Sequence, residues 1–186
     1  RFTRLRGGGR VQLERQQTLR ALVAWSYDLL TDNEKLLFDR LGVFVGGFDL
    51  PAAEAVCGAD PLCPEDVLDL VMSLVDKSLV MVRETDGESR YRMLETLREF
   101  GLEALQKRGE HPATAIRHCD HFLVVAKASN KGLQGSEQAE WIRRVEADFD
   151  NMRAAIVLAL NGGPDPVQAV KFEVAIMGFR ILRGYL

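Results

Sequence analysis

Apolar residues recur at helical spacing in blocks along the chain, and glycine, proline or short polar stretches separate the blocks. Thr18 precedes the first block and is a candidate N-cap, as are Thr31 and Asp32 before the second. Pro51 and Pro64 stand in the first turn of two further blocks, where proline is favoured. The later blocks cover approximately residues 113–130, 136–160 and 166–182. The sequence therefore predicts a chain that is mainly helical.

One short region changes its apolar period from about 3.6 to about 2 residues. Residues 79–83 and 89–93 (LVMVR and SRYRM) have the pattern of strands, and Asp86-Gly87 between them is a strong signal for a tight hairpin. A fifth helical block, ETLREFGLEALQKRG, follows the second strand and stops at Gly109. Helices followed by a two-stranded wing form the winged-helix variant of the helix-turn-helix.

The order of these elements predicts three regions and a fold class that is mainly α with one small β-hairpin. Residues 31–110 form a winged-helix domain, and residues 111–186 form antiparallel helical hairpins that look like the start of a TPR-like array. Residues 1–30 precede them, and the triple glycine Gly7–Gly9 predicts a flexible stretch or a turn there. Because the chain begins with arginine and ends on an apolar, helix-like stretch, we expect it to be part of a longer protein.

Composition and charge exclude several classes of protein. With 47% hydrophobic and 27% charged residues, the chain has the composition of a globular protein rather than a disordered one. The net charge of −3 gives no general attraction to nucleic acid or to a membrane surface. No apolar run reaches the roughly 18 residues that a membrane helix needs. The three cysteines contain no CxxC pair, which predicts reduced thiols and a cytoplasmic location.

Candidate catalytic and metal-binding motifs are weak. The sequence lacks the phosphate-loop, dinucleotide-binding, HExxH and GxSxG motifs. His118 and His121 lie three residues apart on one predicted helix face, but a zinc site needs a third or fourth ligand as well. We therefore expect this chain to hold no catalytic residue, no metal and no cofactor.

The last helix before the wing, which would read DNA in a winged helix, is acidic here. Its charged residues are Glu65, Asp66, Asp69, Asp76 and Lys77. Because phosphate neutralisation drives most DNA binding, this charge disfavours direct DNA binding and favours packing against a protein neighbour. The arginine-rich start of the chain has the opposite charge. It either contacts an anion or pairs, as a solvated arm, with the acidic winged helix.

Four sequence blocks in a fixed order resemble a known family. They are RQQTLRALVAWSYDLL, EKLLFDRLGVFVGGFDLPAAEAVCG, LVDKSLVMV and RYRMLETLREFGLEAL. The chain resembles the C-terminal half of bacterial STAND-type signalling ATPases with an NB-ARC-type nucleotide domain. These include large LuxR- and AfsR-like transcriptional regulators and ATPase-coupled cyclases. The resemblance implies that residues 1–30, with the signature Ser26-Tyr27-Asp28, are the end of the helical lid of the ATP-binding domain.

The resemblance also implies partners for this chain. In such proteins the winged helix packs on the N-terminal nucleotide-binding domain of the same chain and reports which nucleotide is bound. The helical array takes a protein or small-molecule ligand. ATP or ADP is thus implied for the parent protein, although this segment holds no nucleotide motif of its own.

The same resemblance implies where nucleotide sensing occurs. Relatives carry Met-His-Asp after the wing, and the histidine touches the ADP phosphate; the matching residues here are Met93, Leu94 and Glu95. A leucine cannot donate a hydrogen bond to phosphate. Arg90 or Arg92 is an alternative sensor, and the alternative to any sensing role for Leu94 is that it is a core residue. We expect Glu95, Arg92 and the fifth helix to couple the modules at the hinge between them.

Besides a piece of an enzyme such as a cyclase, for which no catalytic residue lies in this sequence, two functions remain open. The first is a non-catalytic regulatory segment of a STAND-type signalling ATPase, which couples nucleotide state to a helical sensor array. The second is a DNA-binding winged-helix transcriptional regulator with a helical dimerisation domain. We further expect Leu182, Tyr185 and Leu186 to pack against a next helix, so that this chain alone self-associates or its last helix frays.

Overall fold

The first helix begins earlier than its sequence pattern predicts. The computed structural model describes residues 8–85, 88–161 and 167–184, and α1 (Gly8–Asp28) begins this part. Thr18 lies inside α1, so its predicted role as a cap is wrong. The predicted glycine turn is also wrong at Gly8 and Gly9, which are helical; Gly7 lies outside the described residues. Glycine costs only about 1 kcal/mol per helical residue, which the good helix formers after Gly9 offset.

Local hydrogen bonds fix the starts of the next two helices, α2 (Asp32–Leu41) and α3 (Leu50–Cys57). The Thr31 hydroxyl accepts the Glu34 amide at 3.3 Å, and the Glu34 carboxylate accepts the Thr31 amide at 2.8 Å. These two bonds complete a capping box and confirm Thr31 as the cap of α2. Asp49 caps α3 by accepting the amide of Ala52 at 2.8 Å.

The residues that connect the fourth helix to the wing form a turn where the first strand was predicted to begin. A 3₁₀ turn, Pro64–Asp66, leads into α4 (Val67–Asp76). After α4, the amides of Leu79 and Val80 both donate to the Leu74 carbonyl, at 2.9 and 3.2 Å, while Ser78 takes a positive φ of 59°. Leu79 and Val80 therefore complete the end of α4 instead of starting a strand, and both side chains are buried.

The predicted hairpin is confirmed, although its first strand begins two residues later and its second strand one residue earlier than predicted. Strands β1 (Met81–Thr85) and β2 (Glu88–Arg92) pair antiparallel, with Met81 opposite Arg92 and Thr85 opposite Glu88. The turn expected at Asp86-Gly87 lies outside the described residues. Helix α5 (Glu95–Arg108) follows and ends at Gly109, whose φ of 75° makes it the predicted helix stop.

Three long helices complete the described chain: α6 (His111–Gly132), α7 (Gln138–Leu160) and α8 (Val167–Arg183). They pack as antiparallel hairpins, as predicted. The rings of Phe149 on α7 and Phe179 on α8 lie 5.5 Å apart, and further along α8 Arg183 pairs with Glu146, earlier in α7. No helix in the described parts of the chain is both long and apolar enough to cross a membrane.

One hydrophobic core runs through the winged helix and the helical hairpins. The ring of Phe44, after α2, lies 4.8 Å from Phe48 and 6.2 Å from Phe122 on α6. Phe48 and Phe122 are both buried with almost no exposed surface. The boundaries predicted at residues 30 and 110 stay a prediction, because the packing of side chains is continuous across the second of them.

Candidate functional site

The loop between α2 and α3 pairs with the wing. Phe48 donates its amide to the Tyr91 carbonyl at 2.9 Å, and Tyr91 donates its amide to the Phe48 carbonyl at 2.8 Å. This bridge brings Gly47 against β2, where a Cβ atom would lie 2.9 Å from the Tyr91 carbonyl oxygen. Gly47 also has a φ of 148°, so both its backbone and its surroundings favour glycine.

The buried side chain of Asn151 on α7 fastens this loop to the helical hairpins. Its Oδ1 accepts the Val45 amide at 2.7 Å, and its Nδ2 donates to the Gly47 carbonyl at 2.7 Å. Asn151 has no exposed surface. One side-chain amide therefore satisfies a donor and an acceptor of the loop backbone, which would otherwise lose their partners away from water.

His118 on α6 joins the same cluster. Its Nε2 lies 3.3 Å from Asn151 Oδ1. Since that oxygen can only accept, the neutral ring must carry its proton on Nε2. Burial lowers the pKa of His118 to about 4, and the bond to Asn151 opposes this only in part, so the ring is neutral near pH 7. His118 thus supports the loop, in contrast to the metal-ligand role weighed for His118 and His121.

A second contact joins the wing itself to α7. Arg90 on β2 lies 2.8 Å from the Asp148 carboxylate (Nη2 to Oδ1) and donates to the Ala147 carbonyl at 2.9 Å. The Asp148 side chain is 4% exposed. Burial raises the pKa of Asp148, while the positive charge and hydrogen bond of Arg90 oppose the increase. Of the two arginines considered as nucleotide sensors, Arg90 is therefore engaged with α7.

Three of the other predicted candidates come together where β2 meets α5. Arg92, Met93 and Glu95 line a small open depression beside Gly46 and Gly47. Its volume of about 20 Å³ has room for about one water molecule and is too small for a nucleotide. Arg92 is exposed to solvent at the edge of this depression.

Glu95 at the start of α5 holds a second arginine of this depression. It accepts hydrogen bonds from Arg98 at 2.6 and 3.0 Å, and these bonds lower the pKa of Glu95 more than its partial burial raises it. Arg98 also donates to the carbonyl of Gly42, which ends α2, at 3.2 Å. Glu95 therefore positions Arg98 between α5 and α2.

Leu94 does not belong to the core, so that interpretation is wrong. It is the N-cap residue of α5, has an extended backbone and is 53% exposed. Its neighbour Met93 is 6% exposed. Successive residues of extended backbone point to opposite sides, and Met93 takes the inward direction. Leu94 is thus an apolar side chain on the surface at the junction of the wing and α5.

The exposed face of α4 combines acidic and apolar side chains. Leu68 and Met72 are each 41% exposed, and Asp69 and Asp76 are exposed beside them. Lys77, directly after the helix, forms an ion pair with Glu34 of α2. The one lysine of this segment is therefore already neutralised, and the face has a negative charge.

Glu34 is a buried carboxylate with several donors. It accepts from the Ser73 hydroxyl at 2.5 Å, from the Thr31 amide and from Lys77. Burial alone would raise the pKa of Glu34, but the hydrogen bonds from Lys77, Ser73 and Thr31 outweigh it and lower the pKa to about 2. The carboxylate therefore stays charged and links α2 to α4.

Two buried charges on α2, which the sequence did not single out, tie the winged helix together. Arg40 donates to the carbonyl of Cys57, which ends α3, and to those of Ala59 and Asp60 in the loop that follows. It also pairs with Glu110, at the start of α6, at 2.7 Å. Asp39 accepts from Arg108 at 2.6 Å and from the Tyr27 hydroxyl at 3.0 Å. Within the described residues its Oδ1 has no hydrogen-bond partner, and burial raises the pKa of Asp39.

The sequence offered one weak signal for these groups, since a charged or amide residue stands among apolar ones in each helix. Tyr27 belongs to the Ser26-Tyr27-Asp28 signature, and its bond to Asp39 connects α1 to α2. Asn151 and Asp148 lie within the apolar face of α7. Their partners are far away in sequence, so a single chain gives no indication of the pairing.

Known proteins resemble both the winged helix and most of the chain. Residues 30–106 match the family described as winged helix-turn-helix domain. Proteins named "putative HTH-type transcriptional regulator" in Mycobacterium tuberculosis and Mycobacterium bovis are 44% identical over 162 residues. These residues are 87% of this chain and 18% of each relative. Another Mycobacterium tuberculosis protein, named "uncharacterized protein", is 39% identical over 142 residues, which are 72% of this chain and 35% of its own length.

No solved structure matches the chain. The matched residues span less than a fifth of the length of the regulators, so the comparison concerns one segment of those proteins. This chain therefore contains a winged helix-turn-helix domain and, over most of its length, is homologous to proteins named as transcriptional regulators.

Proposed function

We propose that this chain is a non-catalytic regulatory segment that couples the nucleotide state of an N-terminal ATP- or ADP-binding domain to the helical hairpins. In this proposal the winged helix packs on that domain as a protein-binding module. The observation that carries the proposal is the junction with α7, where Asn151 holds the α2–α3 loop and Asp148 holds Arg90 of the wing. A displacement of the winged helix must therefore move α7 or break these contacts.

Contacts on the other side of the winged helix support a second link. Val23 of α1 is buried, Arg20 of α1 pairs with Glu103 on α5, and Tyr27 bonds to Asp39 on α2. If α1 is the end of a nucleotide-domain lid, as its resemblance implies, a movement of the lid reaches α2 and α5 directly. The winged helix then lies between the source of the signal and the hairpins that receive it.

The charge of α4 supports protein packing over DNA reading. Its exposed face carries Asp69 and Asp76 with Leu68 and Met72, and Lys77 is neutralised by Glu34. Carboxylates on a reading helix would repel phosphates over about 8 Å at physiological salt. Apolar side chains between these acids suit a protein neighbour instead.

A nucleotide titration of the full-length protein that carries this segment tests the proposal. We expect ADP to bind the intact protein and Arg92→Ala to change its affinity several-fold, because Arg92 is the exposed basic side chain at the β2–α5 junction. Arg143→Ala, an exposed arginine on α7, is the matched control and should leave the affinity unchanged. Equal ADP affinity in the wild type and Arg92→Ala, or after deletion of residues 31–110, would remove the coupling role.

The second candidate is a DNA-binding transcriptional regulator, which the printed names of the relatives and the type of domain favour. Binding of this chain to a random-sequence DNA duplex distinguishes the two functions. Fluorescence anisotropy measures the affinity at low and at physiological salt concentration. If the segment couples nucleotide state and does not read DNA, we expect no DNA binding whose affinity falls steeply as the salt concentration rises. Tight binding that weakens sharply with salt, with loss of affinity in Arg83→Ala or Arg92→Ala on the wing, would establish the DNA-binding function.

A further inference from the structure

Helix α8 has two apolar faces, and one of them has no cover among the described residues. The inner face packs on α6 and α7 and is buried. Its buried residues are Ala169, Phe172, Ala175, Ile176 and Phe179. On the outer face, five apolar side chains are each 54% to 62% exposed. They are Val167, Val170, Val174, Met177 and Ile181, and we call them the α8 stripe.

The spacing of the α8 stripe is that of a helix–helix seam. Steps of three and four residues alternate along it, which is the a and d pattern of two helices that pack side by side. At 1.5 Å per residue the stripe is about 21 Å long. Single exposed apolar residues are ordinary on a surface, but a continuous row of this length marks an interaction site.

Charges beside the stripe indicate what covers it. Glu173 and Arg180 lie on the same edge of the stripe, since Arg180 Nη1 is 2.7 Å from Glu173 Oε2. If a second α8 lies antiparallel across the stripe, Val174 faces Met177 of the second copy and Glu173 comes beside Arg180 of the second copy. Two-fold symmetry repeats both contacts, so each Glu173 lies between the Arg180 of its own chain and the Arg180 of the second copy. A parallel pair would place Glu173 beside Gly178, which offers no charge.

We propose that the α8 stripe binds a second copy of this chain, with the two α8 helices antiparallel about a two-fold axis. The interface is self-complementary in its apolar spacing and in its charges, as an isologous dimer requires. It uses the face of α8 that points away from the core, so the helical hairpins need no rearrangement. The dimer holds two winged helices in a fixed relation, whichever partner they bind.

Analytical ultracentrifugation of the chain tests the dimer. We expect a monomer–dimer equilibrium that Val174→Glu weakens by about a hundredfold or more, because a carboxylate in an apolar seam loses its hydration without a partner. Val124→Glu is the matched control: Val124 is a 66% exposed helical valine on α6, outside the stripe, and its substitution should leave the dimer intact. A chain that stays monomeric into the hundreds of micromolar, or a dimer that Val174→Glu does not weaken, would overturn the proposal.

Disulfide formation tests the antiparallel orientation. Cys63 is exposed and Cys57 and Cys119 are buried, so Cys63→Ser gives a suitable background. A mixture of Val174→Cys and Met177→Cys chains should form the mixed disulfide faster than Val174→Cys alone forms its own. The reverse order would identify a parallel pair and contradict the proposed arrangement. Circular dichroism of each variant confirms that the helices are folded in every sample compared.

Discussion

Asn151 on α7 donates a hydrogen bond to the carbonyl of Gly47, 104 positions earlier in the chain, over 2.7 Å. The same side chain accepts the amide of Val45. The conformation of the α2–α3 loop is thus held by a helix outside the winged helix. Because the two regions also share one hydrophobic core, we expect them to unfold together in a single transition.

Substitution of Asn151 by alanine tests the anchor. It leaves the Val45 amide and the Gly47 carbonyl without partners at a buried position, so we expect the free energy of unfolding to fall by about 2–4 kcal/mol. Urea denaturation measures the change. Asn33→Ala, at an exposed position of α2, is the control and should change it by no more than about 0.5 kcal/mol. Equal small losses in both variants would show that the loop does not depend on Asn151.

Removal of Arg90 isolates the ion pair of the wing. Arg90→Ala leaves the buried Asp148 carboxylate without its cation, and since Arg90 is 24% exposed we expect a loss of about 2 kcal/mol. Burial already raises the pKa of Asp148. Acidification therefore protonates the unpaired carboxyl in the folded variant and makes the loss smaller. Arg83→Ala, directly opposite on β1, is the control. A loss that grows on acidification would contradict this account.

The pH dependence of stability should include a contribution from Glu34. Its pKa is about 2 in the folded chain against 4.5 for an ordinary glutamate, so its stabilisation is complete above pH 4.5 and is lost as the pH falls towards 2. Glutamine can still serve a capping box. We therefore expect Glu34→Gln to lose about 2 kcal/mol at neutral pH and to become less sensitive to acid. Thermal melts from pH 7 to pH 2, with the exposed Glu84→Gln as control, measure both effects.

Gly42 lies at a close approach of α2 to α5. A Cβ atom there would lie 2.6 Å from the Leu102 amide nitrogen and 3.0 Å from the Arg98 carbonyl oxygen. Its φ of −59° suits alanine, so the cost of Gly42→Ala is steric alone. We expect a loss of about 2 kcal/mol in urea denaturation. At Gly135 a Cβ atom meets nothing nearer than 3.6 Å, so Gly135→Ala should be close to neutral.

Features that depend on near neighbours could be predicted from the sequence. Thr31 caps α2, Gly109 ends α5, and a hairpin follows α4, because each depends on residues within a turn of helix or a short loop. The first strand was predicted too early, because Leu79 and Val80 donate hydrogen bonds to the end of α4 instead of joining the strand. These bonds depend on the left-handed backbone of Ser78, which the apolar pattern does not indicate.

The candidate site could be predicted only in part. The resemblance identified Arg90, Arg92 and Glu95 as candidates. It did not indicate that Arg90 bonds to α7 while Arg92 and Glu95 lie together at the depression. The alternative interpretation of Leu94 as a core residue is wrong, because its position before α5 exposes it. Successive side chains of an extended segment point to opposite sides, and only the packing of Met93 decides which of the two neighbours points inward.

The sequence by itself determined the helices, the wing and the acidic character of α4, because periodicity, caps and charge are properties of residues close together in the chain. The tertiary structure decided which polar groups join the two regions. Asn151 meets Val45 and Gly47, and Asp148 meets Arg90, only after α7 has folded back against the wing. No local preference encodes such a pairing, since each partner gains its hydrogen bond only when burial removes water from both.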